Sequence, residues 1–384
     1  MNAPAPLRGR RVVDLSQYIA GSVCGQLLAD YGAEVVKVEP PGGDPSRALT
    51  GSRFGSAYFR AYNTGKSSVT LDLREPADRR RLDELLDGAD AVVMNFGRRT
   101  RARLGLDTAS LHRTRPHLVV TVVSAYGADD PRTCFDSIAQ AVSGFALLNA
   151  AEDGRPRISA GYPTDVFSGL YAGTATAMAL LDPQLDTGVE IDVPMIEVAM
   201  SALTGPASLI AAEQGDFQRG RGNQDAATAP SNVYRCQDGH AYVYAGLDKH
   251  WARLRPVVDG PEASAEARLA DPSRFDAIVE AWTSRHRVAE VCARLQELDV
   301  PGGPVRDPVQ ALRATARERP GAVVDREPSG EAVPQHPAVF SGTRAARRPA
   351  PRPPTATAAA GDPPGPPATP QPQGTAPTER KDHP

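Results

Sequence analysis

An acidic residue precedes a run of small and apolar residues in the segment GYPTDVFSGLYAG, which spans residues 161–173. The carboxylate of Asp165 can have one of two roles there. It can accept backbone N–H groups as the cap of a helix, or it can act as a nucleophile that forms a covalent intermediate. The segment taken alone favours the cap, because an acid directly before an apolar helix usually has that role.

The sequence lacks the motifs of other common enzyme classes. It contains no G-x-S-x-G elbow, no P-loop and no H-E-x-x-H segment. GRGNQD, from Gly220, approaches a dinucleotide-binding loop but lacks the third glycine and lies outside the first strand-turn-helix unit, so a nicotinamide-dependent oxidoreductase is not predicted. The four cysteines lie far apart and the seven histidines form no cluster, so we predict no metal site and no tightly bound cofactor.

Composition is typical of a globular protein with a sizeable core. The chain has 384 residues, 41% of them hydrophobic, and a formal net charge of -3. This charge provides no general attraction for nucleic acid, so any anion recognition must be local. No run approaches the ~20 apolar residues of a membrane span, and the first residues lack the apolar stretch of a signal peptide. We therefore predict a cytoplasmic protein with neither a nucleic-acid nor a membrane partner.

Elements that would position Asp165 follow an alternating pattern in the first half of the chain. Strand-like runs are RRVVDLS, EVVKVEPP, SSVTLDL, DAVVMNF and PHLVVTVVSAYG, and the helical runs between them include GSVCGQLLADYGA and ADRRRLDELLDGA. The alternation predicts an α/β fold whose large domain is a Rossmann-like parallel sheet with crossover helices. Ligands of such sheets bind beyond the carboxyl ends of the strands, where the loops SQYIAG, EPPGGDPSR, NFGRRT and SAYGADD would converge.

The second half predicts a smaller α/β domain. A long helix over residues 166–181 and a strand over VEIDVPMIE precede a hairpin that turns at Asp238 and Gly239, and further helices follow. We predict a large domain at 1–200, a linker at 201–228, a small domain at 229–306 and a return segment at 307–346. Residues 347–384 are rich in Pro, Ala and Thr, and they predict a disordered tail.

Several motifs, in order, resemble one known family. They are LRGRRVVDLSQYIAGSVCGQLLADYGAEVVKVEPPGGDPSR, NTGKSSVTLDL, NFGRRTRARLGLD, the pair SAYG and FDSIAQAVSGF, PTDVFSGLYAG and GVEIDVPMIEVAM. Together these segments resemble the class III CoA-transferases, a family that includes formyl-CoA and carnitine CoA-transferases and the related α-methylacyl-CoA racemases. The resemblance covers roughly residues 7–305.

The resemblance implies that Asp165 is a nucleophile. In transferases of this family the corresponding aspartate attacks the thioester of an acyl-CoA, and an acyl-aspartyl anhydride and then an aspartyl-CoA thioester form before the acceptor acid leaves as its CoA ester. We expect backbone N–H groups of a glycine-bearing loop, and of the first turn after the acid, to stabilise the oxyanions. We also expect the helix N-terminus to keep Asp165 ionised.

The resemblance also implies contacts with coenzyme A, which is a substrate of such enzymes. Its phosphates require local cations, although each such residue taken singly is more often a solvated surface charge. The implied positions are Ile19, Ala20, Gly21, Lys37, Lys66, Leu71, Arg74, Asn95, Arg103 and Phe135.

Three functions remain open from the sequence, and the preferred one transfers CoA between an acyl-CoA and a carboxylic acid. The racemase alternative is disfavoured because Phe135 stands where the racemases have a histidine, and an apolar ring cannot exchange a proton. Asp136 beside it is interpreted as supporting structure. The third alternative is a non-catalytic CoA-binding protein. The resemblance further implies a homodimer of interlocked rings, with each active site between the two chains.

Overall fold

The computed structural model describes residues 4–48, 57–185, 187–212, 222–326, 331–345 and 349–351. A six-stranded parallel sheet in the order β3-β2-β1-β4-β5-β6 forms the centre of the larger part. This order is that of the doubly wound Rossmann fold, so the predicted Rossmann-like architecture is confirmed. The strands are β1 (Arg11–Asp14), β2 (Glu34–Glu39), β3 (Ser67–Thr70), β4 (Ala91–Met94), β5 (Val119–Ser124) and β6 (Glu190–Pro194).

Helices cover both faces of this sheet. They are α1 (Ala20–Asp30), α2 (Ala57–Tyr62), α3 (Pro76–Asp87), α4 (Arg98–Leu104), α5 (Thr108–Thr114), α6 (Asp136–Val142), α7 (Phe145–Leu148), α8 (Pro163–Leu181), α9 (Met195–Ser201) and α10 (Thr204–Ala212), with a 3-10 turn at Pro45–Arg47.

The strands are apolar on both sides because both faces of the sheet are buried. Val12 belongs to a core cluster with residues of α1 and α8, while its neighbour Val13 points to the opposite cluster, which includes Leu82 of α3 and Leu111 of α5. The alternation of side chains along a strand thus builds two hydrophobic cores. Burial on both faces holds the strand ends in fixed positions for the loops that follow them.

A smaller domain is built on a three-stranded antiparallel sheet in the order β7-β8-β9. Trp251, Phe275 and Trp282 from the helices pack with Tyr234 of the sheet into its core. Its elements are β7 (Ser231–Cys236), β8 (Gly239–Tyr244), α11 (Asp248–Leu254), α12 (Ala265–Ala270), α13 (Pro272–Thr283), α14 (Val288–Glu297) and β9 (Gly302–Pro304).

The last described segments return to the larger part of the molecule. Gly65 N–H donates to the carbonyl of Pro349 at 3.2 Å, and the rings of His336 and Phe340 contact Tyr31 edge-on. These segments contain α15 (Pro308–Glu318), β10 (Val323–Arg326), β11 (Glu331–Pro334), β12 (Val339–Phe340) and β13 (Thr343–Arg344).

Three local predictions need correction. The long helix begins at Pro163 and not at residue 166, because proline suits the first turn of a helix. The strand at Glu190 ends at Pro194, the residue directly before α9 begins at Met195. The hairpin pairs Cys236 with Gly239, so its turn is formed by the two residues between them.

The domain boundaries stay predictions, although α10 lies inside the predicted linker. The predicted tail lies mostly outside the described residues. Within the described part of the chain, no helix has the length and apolar character needed to cross a bilayer.

Candidate functional site

The strand order places a cleft between β1 and β4, where the connections leave in opposite directions. Loops after these two strands lie side by side at the carboxyl end of the sheet, the position where ligands of such sheets bind. The side chain of Asn95 joins them, because its Oδ1 accepts the N–H of Gln17 at 3.0 Å and its Nδ2 donates to the carbonyl of Gln17 at 2.8 Å. Asn95 therefore fixes the β1-α1 loop.

Two glycines allow α8 to pack very closely on α1. A Cβ atom on Gly169 would lie 2.4 Å from the carbonyl oxygen of Ala20, and one on Gly173 would lie 2.8 Å from the side chain of Leu27. Any larger residue would push the helices apart. Because Asp165 stands one turn before Gly169, this contact brings its carboxylate to the N-terminus of α1.

The two helices and the strand-end loops enclose a cavity of about 230 Å³, called here the Asp165 cavity. It brings together five of the predicted site residues: Ile19, Ala20, Asn95, Phe135 and Asp165. Gln17, Tyr18, Cys134 and Met195 also line it.

A second cavity of about 530 Å³, called here the outer cavity, holds three other predicted residues, Leu71, Arg74 and Arg103. Gln17 and Phe96 line both cavities, so the two adjoin at the β1-β4 cleft. The guanidinium of Arg74 pairs with Asp72 at 2.7 Å. The predicted residues therefore fall into an inner group around the acid and an outer group that includes cations.

The first turn of α8 is capped by an acid from another helix. Asp136 Oδ1 accepts the N–H of Thr164 at 2.9 Å and the N–H of Asp165 at 3.3 Å. The residue before the helix, Tyr162, makes no side-chain cap bond. The interpretation of Asp165 as the N-cap is thus wrong: it is the third residue of the helix, and the supporting role predicted for Asp136 takes the form of this cap.

The same contacts correct the prediction about oxyanion donors. The N–H groups of Thr164 and Asp165 already donate to Asp136, and that of Val166 donates to the carbonyl of Tyr162 at 3.1 Å. At the other wall, α1 begins at Ala20 with no side-chain cap at Ile19. The first N–H groups of a helix have no acceptor within the helix, so the N-terminus of α1 is the better source of donors.

The carboxyl of Asp165 holds its proton more tightly than an ordinary aspartate. Burial, together with the nearby carboxylate of Asp136, raises the pKa of Asp165 to about 7. The helix N-terminus was expected to keep Asp165 ionised, but loss of solvent outweighs the helix dipole, so the carboxyl is only partly ionised near neutral pH. A carboxylate poised near neutrality and freed of water is a better nucleophile than a solvated one.

Tyrosine hydroxyls lie near Asp165, and the sequence analysis did not predict them as part of the site. Tyr58 contacts Tyr62 and Tyr162 edge-on, with ring centroids 5.6 and 5.9 Å apart. Burial and the neighbouring Tyr162, Tyr62 and Asp165 raise the pKa of Tyr58, so its hydroxyl stays neutral. No spacing signal in the sequence places α2 beside α8; the tertiary fold does so.

A second candidate nucleophile in the cavity is the thiol of Cys134. Burial and the carboxylate of Asp165 raise the pKa of the Cys134 thiol to about 11. Since the thiolate is the reactive form, the thiol is a poor nucleophile at neutral pH. Asp165 is the stronger candidate in this cavity.

Lys37 and Lys66 do not reach either cavity, contrary to the prediction that they contact CoA. The side chains of both lysines are fully buried and paired with Asp44 at 3.0 Å and Asp14 at 2.7 Å, respectively. Gly21 is also buried, and a Cβ atom there would lie 2.3 Å from Ser16 Cβ. In this structure the three residues shape the loop and are not positioned to contact a ligand.

Phe135 lies in the cavity with 61% of its surface exposed and contacts Tyr18 edge-on. Phe135 directly precedes Asp136, the α6 residue that caps α8, so its ring forms part of the wall next to Asp165. An apolar ring can shape a substrate but cannot move a proton. This position is consistent with the sequence argument against racemisation.

The chain matches the family model described as CoA-transferase family III over residues 7–357. It is 30% identical over 346 residues to the succinate–glutarate CoA-transferase of Agrobacterium fabrum, covering 85% of this chain and 86% of that protein. It is also 32% identical over 320 residues to the succinyl-CoA–D-citramalate CoA-transferase of Chloroflexus aurantiacus, covering 78% of each.

Solved structures agree with these sequence relationships. A CAIB/BAIF family protein from Brucella suis superposes with a TM-score of 0.80 and 28% identity, over 90% of this chain and 96% of that one. Rv3272 from Mycobacterium tuberculosis gives a TM-score of 0.79 and 27% identity, over 91% of this chain and 98% of that one. From the sequence match over nearly the whole chain and the shared fold, we conclude that the protein is a member of CoA-transferase family III.

Proposed function

We propose that the protein moves CoA from an acyl-CoA to a carboxylic acid, with Asp165 as the nucleophile. The observation that carries this proposal is the position of the Asp165 carboxylate, in a small cavity between two helix N-termini with a pKa of about 7. Several relatives are named for succinyl-CoA as the donor and one for acetyl-CoA, so these two thioesters are the first donors to test.

The reaction follows as four exchanges at carbonyl carbon. The carboxylate of Asp165 attacks the thioester, the C–S bond breaks, and an anhydride and CoA thiolate result. The thiolate attacks the aspartyl carbonyl of the anhydride, which releases the donor acid and leaves an aspartyl-CoA thioester. The acceptor carboxylate attacks this thioester, the C–S bond breaks, and a second anhydride and free CoA thiolate result. The thiolate then attacks the acceptor acyl carbon and regenerates the carboxylate of Asp165.

Each step passes through an oxyanion that needs donors. We propose that the N–H groups at the start of α1, beside Ile19 and Ala20, supply them, because the corresponding groups of α8 are bound to Asp136. The small side chain of Ala20 leaves the backbone accessible from the cavity. Preorganised backbone donors suit this chemistry because they need no reorganisation as the charge develops.

The two adjoining cavities match the two ends of acyl-CoA. We propose that the outer cavity, with Arg74 and Arg103, takes the phosphate-bearing end, since guanidinium groups bind phosphate oxygens in pairs. The reactive end then passes Gln17 and Phe96 to reach Asp165. The 230 Å³ of the inner cavity suit an acyl group and not a nucleotide.

The test is intact-mass spectrometry of the protein incubated with a panel of acyl-CoA esters that includes succinyl-CoA. We expect a covalent adduct on the peptide that contains Asp165. The Asp165→Ala variant should bind CoA and form no adduct. CoA binding without an adduct to any ester would contradict the proposal and favour the non-catalytic alternative, and α-proton exchange in deuterated water would favour the racemase.

We further propose that the protein acts as a homodimer. The outward face of α8 exposes an apolar row formed by Phe167, Leu170, Tyr171, Met178 and Leu181, each at least 40% exposed. Exposed apolar faces of this length commonly mark protein interfaces. A second copy of the chain is the proposed occupant, in line with the interlocked rings that the family resemblance implies.

A further inference from the structure

Two buried lysines lie beneath the loop that borders both cavities. Lys37 Nζ donates to the carbonyl of Ser16 at 2.8 Å and to Ser22 Oγ at 3.3 Å, and it pairs with Asp44. This ammonium therefore contacts both the β1-α1 loop, residues 15–19, and the first turn of α1 that follows it.

The second lysine completes the network from the other side. Lys66 Nζ donates to Asp14 Oδ2 at 2.7 Å, to the carbonyl of Ser22 at 2.8 Å and to Asn63 Oδ1 at 2.7 Å. Asp14 Oδ1 in turn accepts the N–H of Ser16 at 2.9 Å. The ammonium groups of the two lysines and the carboxylates of Asp14 and Asp44 thus form a network with no net charge. Charge balance of this kind is what keeps a buried ionic network tolerable.

The buried ammonium and carboxylate groups stabilise each other's ionised forms. Burial alone would raise the pKa of Asp14, but the two lysines outweigh it, and the pKa lies below its ordinary value. Burial lowers the pKa of Lys66 to about 8 even with Asp14 as its partner. Both groups remain charged near neutral pH, so the loop contacts are charge-assisted hydrogen bonds.

A glycine in α1 leaves space for this ion pair. A Cβ atom on Gly25 would lie 2.7 Å from Asp14 Oδ2 and 3.2 Å from Lys66 Nζ. Glycine in a helix interior is unfavourable by itself, and here the missing side chain is the space that the ion pair occupies.

Two successive loop residues thus have both backbone groups bound by side chains: Ser16 by Asp14 and Lys37, and Gln17 by Asn95. Tyr18 within the loop has a φ of 62°, a left-handed conformation that a side chain other than glycine seldom adopts. Such a conformation persists where surrounding contacts fix it.

We propose that Lys37 and Lys66 are positioning residues for the transfer reaction, which hold the β1-α1 loop and the N-terminus of α1 at the distance from Asp165 that the oxyanion requires. The inference rests on the proposed function. It assigns the two lysines to the reaction geometry and not to the binding of CoA.

The first test is a double variant that keeps the buried charge balanced, Lys37→Met with Asp44→Asn. It removes the donor to the Ser16 carbonyl and leaves no unpaired buried charge. We expect a folded protein whose KM for acyl-CoA changes less than about twofold while kcat and the rate of adduct formation at Asp165 fall at least about tenfold. The matched control is Arg115→Met with Asp87→Asn, an ion pair of 2.7 Å on residues outside both cavities, which should lower the melting temperature and leave kcat unchanged.

The second test needs no change of charge. Gly25→Ala places a methyl group against Asp14 Oδ2, and we expect the same loss of kcat with little change in KM. This variant decides the matter if the double variant does not fold. A kcat within about twofold of wild type in a folded variant would overturn the inference, while absence of any adduct in the wild-type protein would instead contradict the proposed function.

Discussion

Asp136 Oδ1 accepts the backbone N–H of Asp165 at 3.3 Å, so the cap of α8 and the proposed nucleophile are two carboxylates at one helix turn. The cap holds the turn in place, and its charge opposes ionisation of its neighbour. This pairing leads to predictions about both pH dependence and stability.

Asp136→Asn should move the pH dependence of transfer to lower pH. The acidic limb of kcat/KM should lie near pH 7 in the wild type, because Asp165 must be ionised to attack. The variant lacks the repelling charge, while an amide oxygen still caps the helix. We therefore expect the midpoint of the acidic limb to move down by roughly 0.5 to 1 on the pH scale. Burial remains the larger cause of the shift, so the limb should stay above that of an ordinary aspartate. An unchanged midpoint would contradict this account; Asp129→Asn, 97% exposed, is the control.

Asp165→Asn should stabilise the protein above neutral pH. The folded-state pKa of about 7 lies above the ordinary 3.8, so the ionised carboxylate destabilises the fold increasingly from about pH 4 up to pH 7. We expect the variant to exceed the wild type by about 1–3 kcal/mol in free energy of unfolding near pH 8, with the gap closing towards pH 4. Urea denaturation at several pH values measures this. A gap that does not vary with pH would rule out the explanation.

Gly169→Ala should separate α8 from α1. The added methyl would lie 2.4 Å from the carbonyl oxygen of Ala20, a backbone atom that cannot give way alone. We expect a loss of about 1–3 kcal/mol in unfolding free energy, measured by urea denaturation, and a fall in kcat as Asp165 leaves the cavity wall. Gly205→Ala is the matched control, since nothing lies within 4 Å of its Cβ position in α10. Equal stability in both variants would refute the close-packing argument.

Arg103→Gln should weaken acyl-CoA binding without slowing the chemistry. Removal of one phosphate contact in the outer cavity should raise KM for acyl-CoA by about tenfold at low salt, with kcat nearly unchanged. The effect should shrink as ionic strength rises, because salt screens exposed charges. Arg99→Gln, an exposed neighbour that lines neither cavity, should behave as the wild type. The same KM in both variants would place the phosphates elsewhere.

Met178→Glu should dissociate the proposed dimer. The side chain is 60% exposed in the single chain, and a carboxylate there would be buried without a partner against a second copy. We expect sedimentation velocity to show a shift from dimer to monomer at micromolar concentration. Val309→Glu, on the exposed face of α15, should leave the assembly unchanged. A wild-type monomer would contradict the dimer directly.

Much of the fold was predictable because its signals are local. Alternating apolar strands and helices predicted the parallel sheet, and the family motif PTDVFSGLYAG singled out Asp165. Helix boundaries were less certain. The long helix starts at Pro163 because its cap comes from Asp136, 27 residues before Pro163, a contact that no local pattern encodes.

The two lysines show most clearly what the sequence left open. A lysine in a strand or after a turn is usually solvated, and its type suggested a phosphate contact. Lys37 and Lys66 are buried instead because two carboxylates neutralise them: Asp44, which follows β2 in the next loop, and Asp14, which lies 52 residues before Lys66. Arg74 and Arg103 do reach a cavity.

By itself, the sequence determined the sheet, the helix that carries Asp165 and the family motifs, since these depend on periodicity and short segments. Tertiary structure alone decided the raised pKa of Asp165, the cap from Asp136 and the enclosure of the lysines. These properties depend on burial and on charges brought together from separate elements, and free energies of desolvation and charge pairing exist only once the chain is packed.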